Sequence, residues 1–513
     1  MTSMASTLVR GGFRLVQQWD RRPTSPAFLQ RKELLQLLKK AEFTAFGRQY
    51  QFSQLALHPD PVTAFQQEVP LHDYDSIFDQ WWHRSLEGEP DVAWRGHIRY
   101  FALSSGTAGS ASKYIPVTFE MMKAMRQGAF KMFSCLPKYN VPTSLYLKDW
   151  LMIGGSAHLQ NLGHCYAGDL SGINANKPPV WIRRFYKPGT EIARIANWDE
   201  RTKAIVNNAP KWDVGVMTGI PSWVQLTIEA VVDRYGLDHI HQIWPNFKVY
   251  VSGGIAFEPY RKSFERLLGE PLIYQDSYLA SEGFIAFQDR PDTNAMRLVL
   301  NNGIFMEFVP FDDRNFDEEG RLRPNAQALS IDEVEEKKDY AILLTTCSGA
   351  WRYLIGDTVR FTNVDRCEII ITGRTKHFLS ICGEHLSVDN MNNAISEVER
   401  NLNLGIREFT VCGVKAGSHF AHRWYIGTDN AADEKVLAQA LDRQLMILND
   451  DYKAERSAML QDIQVKVIPS RVFYDWQREQ GKMNGQSKVP RVMRQTQFEE
   501  WERFVNRQSL LHL

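Results

Sequence analysis

Cysteine is scarce in this chain: six in 513 residues, at Cys135, Cys165, Cys347, Cys367, Cys382 and Cys412, with no C-x-x-C pair. That scatter excludes a disulfide framework and a thiolate metal site, and it suits a reducing cytoplasm. Net charge is missing too. Sixty Lys plus Arg balance sixty Asp plus Glu, which leaves no electrostatic footprint for nucleic acid or for an anionic membrane surface. No apolar run approaches the roughly 20 residues that span a bilayer. Arg10, Gly11 and Gly12 interrupt the N-terminal stretch before a secretory h-region can form. Walker A loops, G-x-S-x-G elbows and H-E-x-x-H helices are also missing. His419 and His422 therefore read as a surface pair, and His239 and His241 as ordinary. The expectation is a cytoplasmic protein whose partners are neither nucleic acid nor membrane.

What is present is ordinary globular material in a chain too long for one core, so two or more domains are expected. Apolar residues at helical spacing mark 27–46, 119–133 and 222–235, and Phe78, Trp81 and Trp82 read as core aromatics. From about residue 97, short β-rich runs alternate with helical stretches, which implies α/β sheets with a parallel component covered by helices. Strand-like pieces follow at 298–311 and 340–363, with a charged solvated loop between them. After Arg374, amphipathic stretches at 386–402 and 432–449 beside strands at 407–413 and 463–468 read as a small α+β domain. The hinge falls within 373–386, dividing the chain into 1–375 and 376–513.

Four turns at strand ends carry chemistry. The first is Ser104-Ser105-Gly106-Thr107-Ala108-Gly109-Ser110-Ala111-Ser112-Lys113. Nothing bulky precedes its lysine, so backbone N–H groups and hydroxyls can turn inward around a polyphosphate while Lys113 supplies a point charge. A merely flexible loop is the alternative. The second is Tyr278-Leu279-Ala280-Ser281-Glu282-Gly283, whose aromatic, hydroxyl and carboxylate can stack a base, touch a phosphate and hold Mg²⁺, or simply be solvated. The third, Trp351-Arg352-Tyr353-Leu354-Ile355-Gly356-Asp357, leaves a carboxylate at a strand mouth, where it can accept from ribose hydroxyls or close a hairpin. The fourth is the loop from Gly481 to Arg491, whose lysine can reach into another domain's site or remain a solvated basic loop. Gly253 and Gly254 follow a further strand, where ligands sit in such sheets.

Taken in order, 104–113, 278–282 and 353–357 resemble the three nucleotide-binding motifs of the acyl acid amido synthetases, the auxin-responsive-promoter type. That family lies within the adenylate-forming superfamily of acyl-CoA ligases and firefly luciferase. The similarity extends to Val69-Pro70-Leu71-His72-Asp73-Tyr74, to the strand ending Glu307-Phe308-Val309-Pro310, and to Gln486-Ser487-Lys488-Val489-Pro490-Arg491, spanning roughly residues 25–495. One departure is Thr107-Ala108-Gly109-Ser110, where the family commonly has Thr-Ser-x-Gly.

The resemblance implies a luciferase-like N-terminal adenylation domain with a β-barrel-like part and a mobile C-terminal domain. It implies an ATP- and Mg²⁺-dependent ligase that adenylates a carboxylic acid and transfers the acyl group to an amine, an amino acid. Ser104, Ser105, Gly106, Thr107 and Lys113 would cradle the phosphates. Gly253 and Gly254 would admit adenine, with Tyr278 as a stacking face. Ser281 would touch the α-phosphate, Glu282 would hold Mg²⁺, Asp357 with Arg374 would bind ribose, and Lys488 would neutralise charge developing during adenylation. For the acyl pocket the candidates are Met217, Gly219 and Trp223, with Tyr166 covering them; core packing is the other reading for Met217 and Trp223. The alternatives to an amide-forming ligase are an acyl-CoA ligase with a thiol acceptor and an inactive nucleotide-binding regulator.

Overall fold

The computed structural model describes residues 25–104, 113–176, 183–254, 257–317, 320–375, 378–379, 386–416, 419–449, 452–453, 456, 460, 463–481 and 488–510. At its centre lies a mixed sheet of eleven strands. In spatial order they are Ile304–Pro310, Asp339–Thr346, Tyr353–Asn363, Glu368–Arg374, Met296–Leu298, Gly283–Phe287, Ile273–Ala280, Val249–Gly253, Val214–Gly219, Asp149–Ile153 and Tyr186–Lys187. The last five run parallel to one another. From Ile273–Ala280 toward the other edge every pairing is antiparallel. Ile273–Ala280 is therefore the seam between a parallel half and an antiparallel half.

Along the parallel strands successive side chains enter different cores, as a pleated strand requires. Val216, Val249 and Val251 join the larger cluster, while Leu151, Ile153, Met217 and Tyr250 pack with Trp198, Trp223, Ile228 and Phe264 from the helices on the other face. Coverage on both faces explains why these strands read as continuous apolar runs. Helix Pro221–Tyr235 begins on a proline and stops at Gly236, whose φ of +59° ends the helix where a side chain would be strained. A second, four-stranded sheet holds Lys113–Val117, Tyr100–Ser104, Tyr166–Gly168 and Gln160–Asn161.

The C-terminal module has its own sheet of Ile406–Ala416, His419–Thr428 and Gln464–Ile468. Again the period of two divides its faces. Phe409, Val411, Trp424 and Ile426 pack with residues of helices Val388–Leu402 and Glu434–Leu448, and Cys412, Val414 and Tyr425 with those of Arg471–Glu479 and Gln495–Leu510. A Ser387–Asn390 capping box starts the first of these helices and left-handed Asn403 ends it.

Two expectations are corrected. His422 is not at the surface: it lies on a strand covered on both faces and is fully buried. The segment 312–339 is not simply solvated, because Phe316, Ile331 and Val334 are buried and Leu329 exchanges hydrogen bonds with Phe308. Charge count alone hides such alternating anchors. Among the described residues no helix is long and apolar enough to cross a membrane, and the five described cysteines are free and buried.

Candidate functional site

A cleft of about 2100 Å³ opens where the parallel strands end and the C-terminal module meets the body. Strand register puts the turns side by side: Ile153 pairs with Gly219, Gly219 with Ser252, and Gly253 with Ser277. Past the seam the chain reverses at once. Ala280 pairs with Gly283, so Ser281 and Glu282 are the two residues of a tight hairpin turn. Asp357 and Arg374 face each other on adjacent antiparallel strands. Gly253, Gly254, Tyr278, Ser281, Glu282, Asp357, Arg374, Lys113 and Lys488 all line this one cleft.

The centre of the cluster is Asp357. Its Oδ1 accepts from Arg374 Nε at 2.8 Å and its Oδ2 from the Tyr278 hydroxyl at 2.7 Å. Each carboxylate oxygen keeps a further lone pair for a ligand hydroxyl. Four strand steps separate the Tyr278 and Asp357 strands in the sheet order. At about 4.8 Å per step a flat sheet would hold them ~19 Å apart, so the direct bond requires the sheet to curl around the cleft. Tyr278 itself is 5% exposed, its phenol pushed far above the usual range by burial and by the Asp357 charge.

Glu282 is buried at 7% exposure. Loss of solvent pushes its carboxyl up to about 7, helped by the negative Asp357 and opposed by Lys113 and Arg374. Among the described residues no cation forms an ion pair with it. Among those residues it is a buried carboxylate without an ion-pair partner, the environment in which a hard cation binds.

Ser104 pairs with Lys113 across the base of the first loop. Ser105, Gly106 and Thr107 lie outside the described residues. The loop base is braced by Tyr74: its hydroxyl accepts from the Tyr114 amide at 2.9 Å and its ring lies 5.0 Å from Lys113 Nζ. The 69–74 segment also ties to the third motif. Buried Arg352 forms an ion pair with buried Glu307 at 2.9 Å and donates to the Gln66 and Val69 carbonyls at 2.7 Å. The glutamate of the Glu-Phe-x-Pro strand is thus a structural partner of the third motif.

Lys488 arrives from the C-terminal module. A Cβ at Gly254 would stand 3.4 Å from Lys488 Cε, and Gly254 has φ +86°, so that turn both needs glycine and abuts the lysine. Lys488 keeps surface open to the cleft. Partial loss of solvent, with the Arg374 charge, draws its ammonium below the usual lysine range, and Asp357 opposes this.

None of the four acyl-pocket candidates is among the residues that line the cleft. Met217 and Trp223 are fully buried behind the parallel strands, Trp223 packing edge-on to Trp198 at 4.6 Å. Strand alternation turns Met217 beneath the helices, away from the cleft. Gly219 lies where a Cβ would strike the Ile153 carbonyl oxygen at 2.5 Å. Tyr166 is 45% exposed on the smaller sheet, and its neighbours Ala167 and Gly168 line the cleft in its stead. Two acidic features escaped sequence reading. Asp276, bonded to the Ser252 hydroxyl, lines the cleft with its carboxyl raised by burial. Glu408, buried with Arg491, lines the module's side. Asp276 sits two residues before Tyr278 in an already suspected strand, and that position was the available signal.

Models of the GH3 family N-terminal, central and C-terminal domains match residues 17–209, 297–370 and 389–497. An indole-3-acetic acid-amido synthetase, GH3.8, from Oryza sativa subsp. indica is 26% identical over 277 residues, 50% of this chain and 45% of that protein. The match thus spans about half the length of that relative. The solved structure of a GH3.15 acyl acid amido synthetase superposes with a TM-score of 0.79 at 16% identity, covering 97% of this chain and 96% of that one. A 2-hydroxyisobutyryl-CoA ligase in the postadenylation state gives 0.59 at 14% identity over 93% and 91% of the two chains. At these identities the likeness is one of fold.

Proposed function

The chain belongs to the GH3 family, and from that premise we propose that it is an ATP-dependent ligase, adenylating a carboxylic acid and passing the acyl group to the amine of an amino acid. One observation carries the reading. Asp357 with Arg374, Glu282, Lys113 and, from the C-terminal module, Lys488 all face a single cleft.

In the first half-reaction a carboxylate oxygen attacks the α-phosphorus of ATP. The bond to the bridging oxygen breaks and pyrophosphate leaves with the electron pair. Asp357 accepts from the ribose hydroxyls, oriented by Tyr278 and Arg374, and Ser281 donates to the α-phosphate from the hairpin turn. The first loop, with Lys113, holds the outer phosphates. Lys488 puts a positive charge between two anionic reactants and acts by electrostatic stabilisation and positioning, without a covalent enzyme intermediate. Glu282 fits as a protein ligand of Mg²⁺, because its buried carboxylate lacks an ion-pair partner among the described residues. Bound there, the ion would neutralise phosphate charge. In the second half-reaction the amine nitrogen attacks the acyl carbon, AMP departs and the amine loses a proton. We assign the moving unit to residues 376–513, its rotation excluding water from the anhydride, and the compartment to the cytoplasm.

Carboxylate-dependent ATP–pyrophosphate exchange, paired with hydroxylamine trapping over aromatic, aliphatic and jasmonate-like acids, tests the first step. AMP release with amino acids compared with CoA tests the acceptor. Exchange together with amino-acid-dependent AMP release is the expected result. Release with CoA alone would make the protein an acyl-CoA ligase, and silence across the acids with Mg²⁺ supplied would make it a regulator.

A further inference from the structure

Lys488 reaches the cleft from a segment that is pinned three residues later. The Arg491 carbonyl accepts from the Val411 amide and the Met493 amide donates to the Val411 carbonyl, both at 2.9 Å. These bonds add 491–493 to the edge of Ile406–Ala416. The Arg491 side chain turns inward. Its Nη1 donates to Glu408 Oε2 at 2.7 Å and to the Phe409 carbonyl at 3.2 Å, and its guanidinium lies 4.4 Å from the Phe409 ring centroid.

One partner of this pair comes from the body of the protein. Tyr260, on helix Glu258–Glu265, donates its hydroxyl proton to Glu408 Oε1 at 2.9 Å and accepts from Arg491 Nη2 at 2.9 Å. Tyr260 and Glu408 are both essentially inaccessible to water. Other ties between body and module are more exposed: Arg407–Glu229, Arg478–Asp199 and Lys262–Asn403. Exposed ion pairs contribute little. A phenol completing the bonds of a buried charge pair contributes more, because without it the two charges stay out of water with a bond unmade.

We propose that Tyr260 is a positioning residue: its bonds to the Glu408–Arg491 pair hold the C-terminal module where Lys488 enters the cleft, and so favour the first half-reaction over the second. When the module turns, Tyr260 stays with the body and water takes its place at the pair. The inference rests on the proposed two-step activity, and its test includes a measurement that does not.

Tyr260→Phe removes only the hydroxyl. It should lower carboxylate-dependent exchange about tenfold, the usual scale for a bond to a buried charge. Conversion of a synthetic acyl-adenylate with the amine should stay within about twofold, since that step does not use this arrangement. Tyr474→Phe removes a hydroxyl 3.4 Å from the same Glu408 but within the module, and should leave exchange near wild type. Equal loss in both half-reactions, or an equal effect of Tyr474→Phe, overturns the proposal. Spin labels at exposed Lys203 on the body and Lys435 on the module read the docking directly. Their distance distribution should broaden in Tyr260→Phe, and an unchanged distribution overturns the proposal whatever the activity. A wild-type protein without exchange whose labels still respond to Tyr260→Phe refutes the ligase reading and leaves the docking role standing.

Discussion

Loss of solvent leaves two charged side chains of the cleft reluctant to carry their charge: buried Glu282, raised to about 7, and the more open Lys488, drawn below the usual lysine range. The proposed chemistry needs the first ionised and the second protonated. The kcat/KM for ATP in the exchange assay should therefore rise through pH about 7 and fall again below the ordinary lysine value of about 10.4. Lys488→Arg should abolish the alkaline limb, since a guanidinium does not titrate there, while lowering the rate because its fork cannot mimic a point charge. A profile flat across that interval would remove both residues from the mechanism. Glu282, Asp357 and Lys488 could be singled out in the sequence from local patterns, and all three line the cleft, although Asp357 lies within the strand Tyr353–Asn363 rather than at the strand mouth that Gly356 suggested. The pairing of Arg491 was not legible there, as its partner Glu408 lies 83 residues earlier. Met217 and Trp223 misled for a related reason: apolar spacing shows that a side chain is buried, not whether it faces core or cleft.

At the scale of elements, local pattern found most strands and helices, but neither the order of the eleven strands nor the seam at Ile273–Ala280, since both depend on pairings distant in sequence. The same holds for the Arg352–Glu307 pair, which ties the strand Ile304–Pro310 to the turn before Tyr353–Asn363 and to carbonyls at the C-terminal end of Pro61–Glu68. Arg352 adopts φ +44° in that turn, a conformation few side chains tolerate. Replacing Arg352 with Met should cost about 3–5 kcal/mol in urea unfolding, because Glu307 is left buried and unpaired. The double replacement Arg352→Met with Glu307→Met should cost clearly less than the sum of the two single changes. Additive losses would show that the pair contributes only packing.

Across the whole molecule the cleft joins two bodies, and a ligand that touches both should fasten them. An acyl-sulfamoyl adenosine, an unreactive mimic of the acyl-adenylate, should raise the unfolding free energy by about 2.7 kcal/mol at a hundredfold excess over its Kd. Asp357→Ala should abolish most of that gain by removing the ribose contact, and calorimetry at matched ligand concentration would read it. Equal stabilisation of both proteins would place the adenosine elsewhere. The bow of the large sheet has a consequence of its own. The Tyr278–Asp357 bond strings that bow like a cord, and three strands make up the stave between its tips. Inserting a strand there, or deleting one, would part Tyr278 from Asp357. Loops at the far rim of the parallel half can lengthen or shorten without altering that bond. The span between those two side chains is thus set by the sheet itself and not by any loop.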